Sequence, residues 1–282
     1  MPLVRIILGC GYLGRALLQA LSSSPGRIVV TSRSRERLAA LTADGRAEGL
    51  VFETGALASA QLSKVLAGAS AVEVFCLLTP SALSIAPTRE RLVAILAEFP
   101  LKRAVLVSST GIYGAVEGGE VSAETVPHLS GAREQGLADI EQAWLRLPQA
   151  RIVRMAGLYG PERVIGAGMI REGRTIPGRA SAWLNLIHQQ DAAGLLCTVA
   201  ASEHAATVEL GSDGQPMRRS EYYGFLAELL SAPAPRFESL DDGDAGKRVN
   251  PMSTWQRLGW RPRFTSYRDG VRDALGLSPG AQ

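Results

Sequence analysis

Short, predominantly apolar runs recur along the first half of the chain, each followed by a stretch in which apolar residues return every three or four positions. The first such run is Leu3-Val4-Arg5-Ile6-Ile7-Leu8. An apolar run of this length fits a strand covered on both faces, and the longer spacing fits an amphipathic helix. On these patterns strands are predicted over 3–8, 27–32, 50–53, 72–78, 104–109 and 151–155. Helices are predicted over 15–21, 36–41, 57–66, 90–99 and 134–147. Strict alternation of short strands with helices implies parallel βαβ units, and right-handed crossovers then give an α/β fold with a doubly wound parallel sheet. Beyond Gly157 the pattern loosens. A helix is predicted over 190–201 and one more strand over 207–210, while 231–250, rich in Pro, Gly and Asp, reads as loop. The expected division is a dinucleotide-binding half over 1–156 and a small C-terminal substrate lobe over 157–282, interleaved with the last strand as one structural unit.

Composition narrows the function classes. The 282 residues carry 46% hydrophobic and 20% charged residues and a net charge of +3, ordinary for a globular enzyme and too weakly basic to imply a nucleic-acid partner. Lysine occurs only at Lys64, Lys102 and Lys247, so the basic residues are overwhelmingly arginine. Cys10, Cys76 and Cys197 are scattered and odd in number. That argues against a disulfide framework or a structural zinc and for a reducing compartment. No stretch approaches the roughly 20 apolar residues of a membrane helix, so no membrane partner is expected, and the chain is assigned to the cytoplasm.

The strongest local signal is Gly9-Cys10-Gly11-Tyr12-Leu13-Gly14. This G-x-G-x-x-G follows a strand and opens a helix, which is the Rossmann-type context a dinucleotide site needs. Gly9 permits the tight turn, Gly11 lets the backbone approach a pyrophosphate, and Gly14 lets helix and strand pack closely. The helix start offers free N–H groups to the phosphates. An NAD site places an acid about 20 residues further on, against the ribose 2′-hydroxyl. Here the second strand ends in Thr31-Ser32-Arg33-Ser34-Arg35. A guanidinium at Arg33, helped by the hydroxyls of Ser32 and Ser34, suits a 2′-phosphate, so NADP(H) is favoured over NAD(H).

Ser108-Ser109-Thr110-Gly111-Ile112-Tyr113-Gly114, at the end of the fifth strand, resembles the extended short-chain dehydrogenase/reductase family of NAD-dependent epimerase/dehydratase type. Further matches follow in order: Arg154-Met155-Ala156-Gly157-Leu158-Tyr159-Gly160-Pro161, Asn185-Leu186-Ile187-His188-Gln189-Gln190-Asp191 and Leu258-Gly259-Trp260-Arg261-Pro262. The resemblance spans nearly the whole chain and looks most like an atypical subgroup. It implies that Ser109 stands at the catalytic Ser or Thr position and that Leu77, Thr79 and Pro80 line the cofactor together with Ser108. It also implies that Met155, Ala156, Gly157 and Leu158 pass near the nicotinamide. A homodimer through the helices near 90–99 and 134–147 is implied as well.

The chain departs from the family at its base. The family's Tyr, followed four residues later by Lys, aligns with Arg133 and Leu137 when counted back from Glu141, and no Tyr or Lys lies between Ala115 and Ala150. An arginine cannot serve as a general base near neutral pH. Three readings stay open: Tyr113 as the acid, Arg133 as an electrostatic clamp on a substrate carboxylate or oxyanion, or a catalytically silent NADP(H)-binding regulator or scaffold. The first function expected is an NAD(P)-dependent oxidoreductase or epimerase-like enzyme acting on a small polar or sugar-derived molecule. Of the histidines, His188 reads as structural, His128 as a loop residue near the cleft and His204 as exposed, too scattered for a metal site. Arg163, Arg171, Arg174 and Arg179 crowd the segment expected to cover the cleft, with Trp183 and Tyr159 as further candidate walls or as packing within the lobe.

Overall fold

The computed structural model describes residues 3–52, 59–239 and 245–277. Seven parallel strands form the central sheet: β1 (Leu3–Leu8), β2 (Arg27–Ser32), β3 (Glu48–Val51), β4 (Ala71–Cys76), β5 (Leu101–Ser109), β6 (Ala150–Met155) and β7 (Val208–Gly211). Their order is β7-β6-β5-β4-β1-β2-β3. The order runs outward in both directions from β1, so the chain reverses direction between β1 and β4. In open α/β sheets a ligand crevice forms at that point, beyond the carboxyl ends of the strands.

Helices α1 (Tyr12–Leu21), α2 (Arg35–Thr42) and α3 (Ser59–Leu66) follow β1, β2 and β3. Helices α4 (Pro80–Leu83) and α5 (Ala86–Ala97) precede β5, α6 (Ala132–Trp144) precedes β6, and α7 (Ala167–Arg171) and α8 (Gln189–Ala201) precede β7. Alternation along the strands sorts the core into two layers. Val4, Ile6 and Leu8 of β1 join Val74, Leu96, Ile140 and Trp144 on the face covered by α5 and α6. Ile7, with Val30, Phe75 and Val153, packs against Leu17 of α1 and Leu195 and Val199 of α8 on the other.

The observed ends differ from the predicted ones for local reasons. Helix α1 starts at Tyr12, directly after its Gly11 cap. Strand β5 already starts at Leu101, where exposed Lys102, paired at 3.0 Å with Glu73, interrupts the apolar pattern that shows from Ala104 onward. Strand β4 stops at Cys76, which frees Leu77 and Leu78 to turn into the crevice. Helix α5 starts at Ala86, with a proline in its first turn, and α6 ends at Trp144. The predicted strand end at Glu53 and helix start at Leu57 lie outside the described residues.

After β6 the chain builds a smaller lobe from strands too short for any sequence period. Gly157–Tyr159 pairs with Leu186–His188, and Trp183–Leu184 with Met217–Arg218. The segment expected to be loop, 231–250, contains Phe237–Ser239, which pairs with Ile176–Arg179, and Arg248–Val249, which pairs with Glu120–Val121. Helices α9 (Arg219–Leu229), α10 (Met252–Leu258) and α11 (Tyr267–Ala274) complete the lobe. Its core gathers Tyr159, Ile176, Leu186, Tyr222, Leu226 and Val271. Among the described residues no helix is long and apolar enough to cross a membrane.

Candidate active site

A cleft of about 840 Å³ runs along the carboxyl ends of the sheet, from the loop after β1 to the ends of β5 and β6. Its floor is the glycine loop. Gly9 has φ +84°, and a Cβ there would stand 3.1 Å from the Leu78 side chain and 3.2 Å from Leu78 N. The loop is held from β2, where Thr31 O accepts from Cys10 N at 2.7 Å and Thr31 Oγ1 from Gly9 N at 2.9 Å. A Cβ on Gly14 would come within 3.1 Å of Cys10 Sγ, so α1 lies tight against the loop. Gly11 differs, because a Cβ there would meet no atom closer than Gly9 O at 4.0 Å and would project into the open cradle. Helix α1 has no side-chain cap, so its first amides are left for a ligand.

At the end of β2 the cleft is walled by Ser32, Arg33 and Arg37. Ser32 Oγ accepts from Ser34 N at 3.2 Å, and Ser34 Oγ caps α2 by accepting from Arg37 N at 3.1 Å. The turn therefore sets Arg33 and Arg37 at the same mouth. Arg37 was missed by the sequence reading. The signal for it was present: it lies four residues after Arg33, close to the capping Ser34 at the start of a helix.

The end of β5 carries the third cluster. Ser109 Oγ accepts from Gly111 N at 3.0 Å, which leaves its hydroxyl hydrogen free to point elsewhere. A Cβ on Gly111 would stand 3.1 Å from both Ser109 Oγ and Arg133 Nη2, so the guanidinium and the hydroxyl face the same spot. Arg133 and Leu137, one turn apart on α6, both line the cleft. Among the described residues Arg133 has no hydrogen bond or ion pair. One turn further, buried Glu141 accepts from Ser108 Oγ at 2.6 Å and from Arg154 Nη2 at 2.7 Å. This buried pair ties β5, α6 and β6 together directly behind Ser109.

Tyr113 does not join them. It is buried, its hydroxyl donates to Ser122 O at 2.8 Å and accepts from Arg154 Nη1 at 2.9 Å, and it is not among the cleft-lining residues. Burial pushes its phenol pKa upward, with Arg154 opposing. Of the three readings left open, the one that makes Tyr113 the acid has this geometry against it: the donor and one acceptor site of that hydroxyl are engaged inside the protein.

The remaining cofactor candidates, Tyr12, Leu13, Leu77, Thr79, Ser108, Gly157 and Leu158, all line the cleft, as do Pro80, Met155 and Ala156. Arg163 also lines it, 5.4 Å above the Tyr12 ring, and burial raises the Tyr12 phenol to about 12. The expected arginine cluster over the cleft is not formed. Arg171, Arg174 and Arg179 are exposed outside it, and Arg174 pairs with Glu172 at 2.7 Å. Nor do Trp183 and Tyr159 wall the cleft. Trp183 stacks under Arg218 at 3.9 Å, and Tyr159 is fully buried in the lobe core. His188 is buried, caps α8 through Nδ1, and burial lowers its pKa. His128 and His204 are exposed. No group of residues suited to a metal occurs among those described.

No protein-family model matches the chain, and no curated protein matches it in sequence. Solved structures do match. A conserved protein of unknown function from Silicibacter pomeroyi DSS has a TM-score of 0.75 at 24% identity, over 98% of this chain and 99% of that one. The dTDP-glucose 4,6-dehydratase of Streptomyces venezuelae, with NAD bound, has a TM-score of 0.79 at 18% identity, over 97% and 96%. The UDP-glucuronic acid 4-epimerase of Bacillus cereus, in complex with NAD, has a TM-score of 0.78 at 14% identity, over 97% and 98%. The likeness is one of fold and runs the length of the chain: this protein has the Rossmann-type architecture of the dehydratase and the epimerase.

Proposed function

We propose that the chain is an NADP(H)-dependent oxidoreductase of the extended short-chain dehydrogenase/reductase type, acting on the carbonyl or alcohol of a small polar molecule. The observation that carries the reading is the composition of the cleft. It opens on an uncapped helix start and a glycine cradle, and among the described lining residues Arg33, Arg37, Arg133 and Arg163 supply cations while no carboxylate is present. The dehydratase and epimerase of like fold hold NAD. The preference for NADP(H) here rests on Arg33 and Arg37 at the mouth beside β2, where a 2′-phosphate would be neutralised.

When bound, the nicotinamide supplies or accepts a hydride. The chain's own groups do the rest. The Gly11 backbone and the first amides of α1 seat the pyrophosphate, and Met155 to Leu158 wall the nicotinamide end. Ser109, whose oxygen accepts from Gly111 N, donates its hydroxyl hydrogen toward the substrate oxygen. Arg133 stabilises the negative charge that gathers on that oxygen, which then takes its proton from water at the open mouth. Leu137, in the place where the family has Lys, contributes an apolar wall and no charge.

Fluorescence titration with NADPH and NADH tests the cofactor, and NADPH consumption with a panel of aldehydes and ketones tests the chemistry. Arg33→Ala is expected to weaken NADPH binding about tenfold or more while leaving NADH binding nearly unchanged. Equal loss for both cofactors would refute the role given to Arg33. Tight NADPH binding without turnover on any carbonyl would replace the enzyme by a cofactor-dependent regulator.

A further inference from the structure

One arginine of the cleft, Arg163, comes from the lobe, on a turn that rests against α1. Residues 160–163 close on themselves: Gly160 N donates to Arg163 O at 3.2 Å, and Arg163 N to Gly160 O at 3.0 Å. A left-handed φ of +65° at Glu162, uncommon outside glycine, bends the chain at the tip. The turn lies directly on the first residue of α1, because a Cβ on Gly160 would stand 2.8 Å from the Tyr12 hydroxyl oxygen. About one turn along α1, Arg15 Nη2 donates to Glu162 Oε2 at 2.7 Å. The turn is thereby fastened to the helix that opens from the glycine loop.

This fastening places the Arg163 side chain. Its guanidinium carbon stands 5.4 Å from the centre of the Tyr12 ring, and the residue lines the cleft alongside Gly11, Tyr12 and Leu13. Among the described residues the guanidinium has no hydrogen bond or ion pair. The adjacent carboxylate, Glu162, is engaged by Arg15. The other cations of the cleft stand elsewhere: Arg33 and Arg37 at the end of β2, and Arg133 on α6 facing Ser109. The start of α1 offers only about half an elementary charge, less than a pyrophosphate carries. A guanidinium supplies the missing charge and presents paired N–H donors that match phosphate oxygens.

Resting on the reading of the cleft given above, we propose that Arg163 is a cofactor-binding residue: held against α1 by its turn, it grips the pyrophosphate of the dinucleotide beside the first amides of that helix. The four arginines of the cleft then divide the ligand among them. Arg33 and Arg37 take the 2′-phosphate, Arg163 takes the pyrophosphate, and Arg133 faces the substrate oxygen. Arg163 therefore contributes affinity common to NADPH and NADH, whereas Arg33 contributes the preference between them.

Fragments of the cofactor separate these stations. ADP-ribose carries the pyrophosphate without the nicotinamide or the 2′-phosphate, and adenosine 2′-monophosphate carries the 2′-phosphate without the pyrophosphate. NADPH and NADH binding to the full chain is read by fluorescence, and the fragments are read by displacement of the bound dinucleotide. Arg163 is exposed, so Arg163→Gln should melt like the wild type. The variant is expected to bind NADPH, NADH and ADP-ribose each about tenfold more weakly or worse, and adenosine 2′-monophosphate within about twofold of the wild type. Unchanged affinity for ADP-ribose, or a loss of the same size for adenosine 2′-monophosphate, overturns the role given to Arg163. A wild-type protein that binds neither NADPH nor NADH defeats the reading of the cleft, whereas cofactor binding in the wild type that Arg163→Gln leaves untouched defeats the Arg163 contact alone.

Discussion

Asp213 shows how one buried residue leaves a pH signature. It is 1% exposed, its Oδ1 accepts from Gln215 N at 3.0 Å, and its Oδ2 has no partner. Burial, helped by the Asp191 charge, pushes its pKa up to about 7 from 3.8. The folded protein therefore keeps a proton that the unfolded chain releases near pH 4. Stability from this group is present below about pH 4, declines as the pH rises to about 7, and is flat beyond. The total decline is on the order of 4 kcal/mol. Asp213→Asn keeps the shape of the protonated acid and removes the titration, so urea midpoints should show the variant gaining on the wild type between pH 4.5 and 8. A difference that is the same at both pH values would mean that Asp213 ionises like an exposed acid. At this scale the sequence disclosed the residues whose role follows from backbone geometry, such as Gly9 and Gly11, and the resemblance to the family singled out others, such as Arg133 and Leu137. It did not disclose the fate of Tyr113, which depends on a partner far along the chain, Arg154.

Among the elements, β1, the glycine loop and α1 make a unit in which fold and binding can be separated. Gly9 needs a left-handed φ of +84° and has Leu78 N within 3.2 Å of any added Cβ. Gly9→Ala should therefore cost about 1–3 kcal/mol of stability and lower the melting temperature. Gly11 has room for a methyl group, but only in the cradle. Gly11→Ala should melt like the wild type yet bind NADPH about tenfold more weakly or worse. Unimpaired NADPH binding in Gly11→Ala would show that no phosphate approaches this backbone. The strands of the main sheet were legible because burial on both faces enforces nearly continuous apolar runs such as Val4 to Leu8 and Val72 to Cys76, each broken by one charged residue, Arg5 and Glu73, which pair with each other at 2.8 Å. The lobe was not. Its strands, such as Trp183–Leu184 and Arg248–Val249, are two residues long and are stabilised by partners 30 or more residues away, below any local period. Helices α9 and α11 carry Tyr222, Phe225 and Tyr267 into the lobe core, and the early pattern gave no sheet for them to pack on.

For the whole molecule the central problem is how the last described segment of the chain is held against the sheet. The fastening is Asp191, 6% exposed in the first turn of α8, the helix that covers the sheet. Its Oδ1 accepts from Arg263 N at 2.7 Å and its Oδ2 from Phe264 N at 3.0 Å. Both amides follow directly on Leu258-Gly259-Trp260-Arg261-Pro262, so this stretch delivers two N–H donors to one carboxylate. A second tie runs from β7 to α10, where Glu209 Oε2 accepts from Thr254 Oγ1 at 2.7 Å and Glu209 Oε1 from Arg257 Nε at 3.1 Å. Bonds to a buried carboxylate are worth roughly 1.5–3 kcal/mol each. Asp191→Asn keeps one acceptor and turns the other into a donor that faces an amide, so it should cost about 2–3 kcal/mol. If the C-terminal segment opens as its own unit, hydrogen exchange should speed up selectively over 259–275 in the variant, with β1, β4 and β5 still protected. Affinity for NADPH should hold, because the glycine loop and the end of β2 are built by the first half of the chain. Uniform acceleration across the sheet and the C-terminal segment would mean instead that lobe and sheet open as one body, and Asp191 would then be part of a single cooperative core.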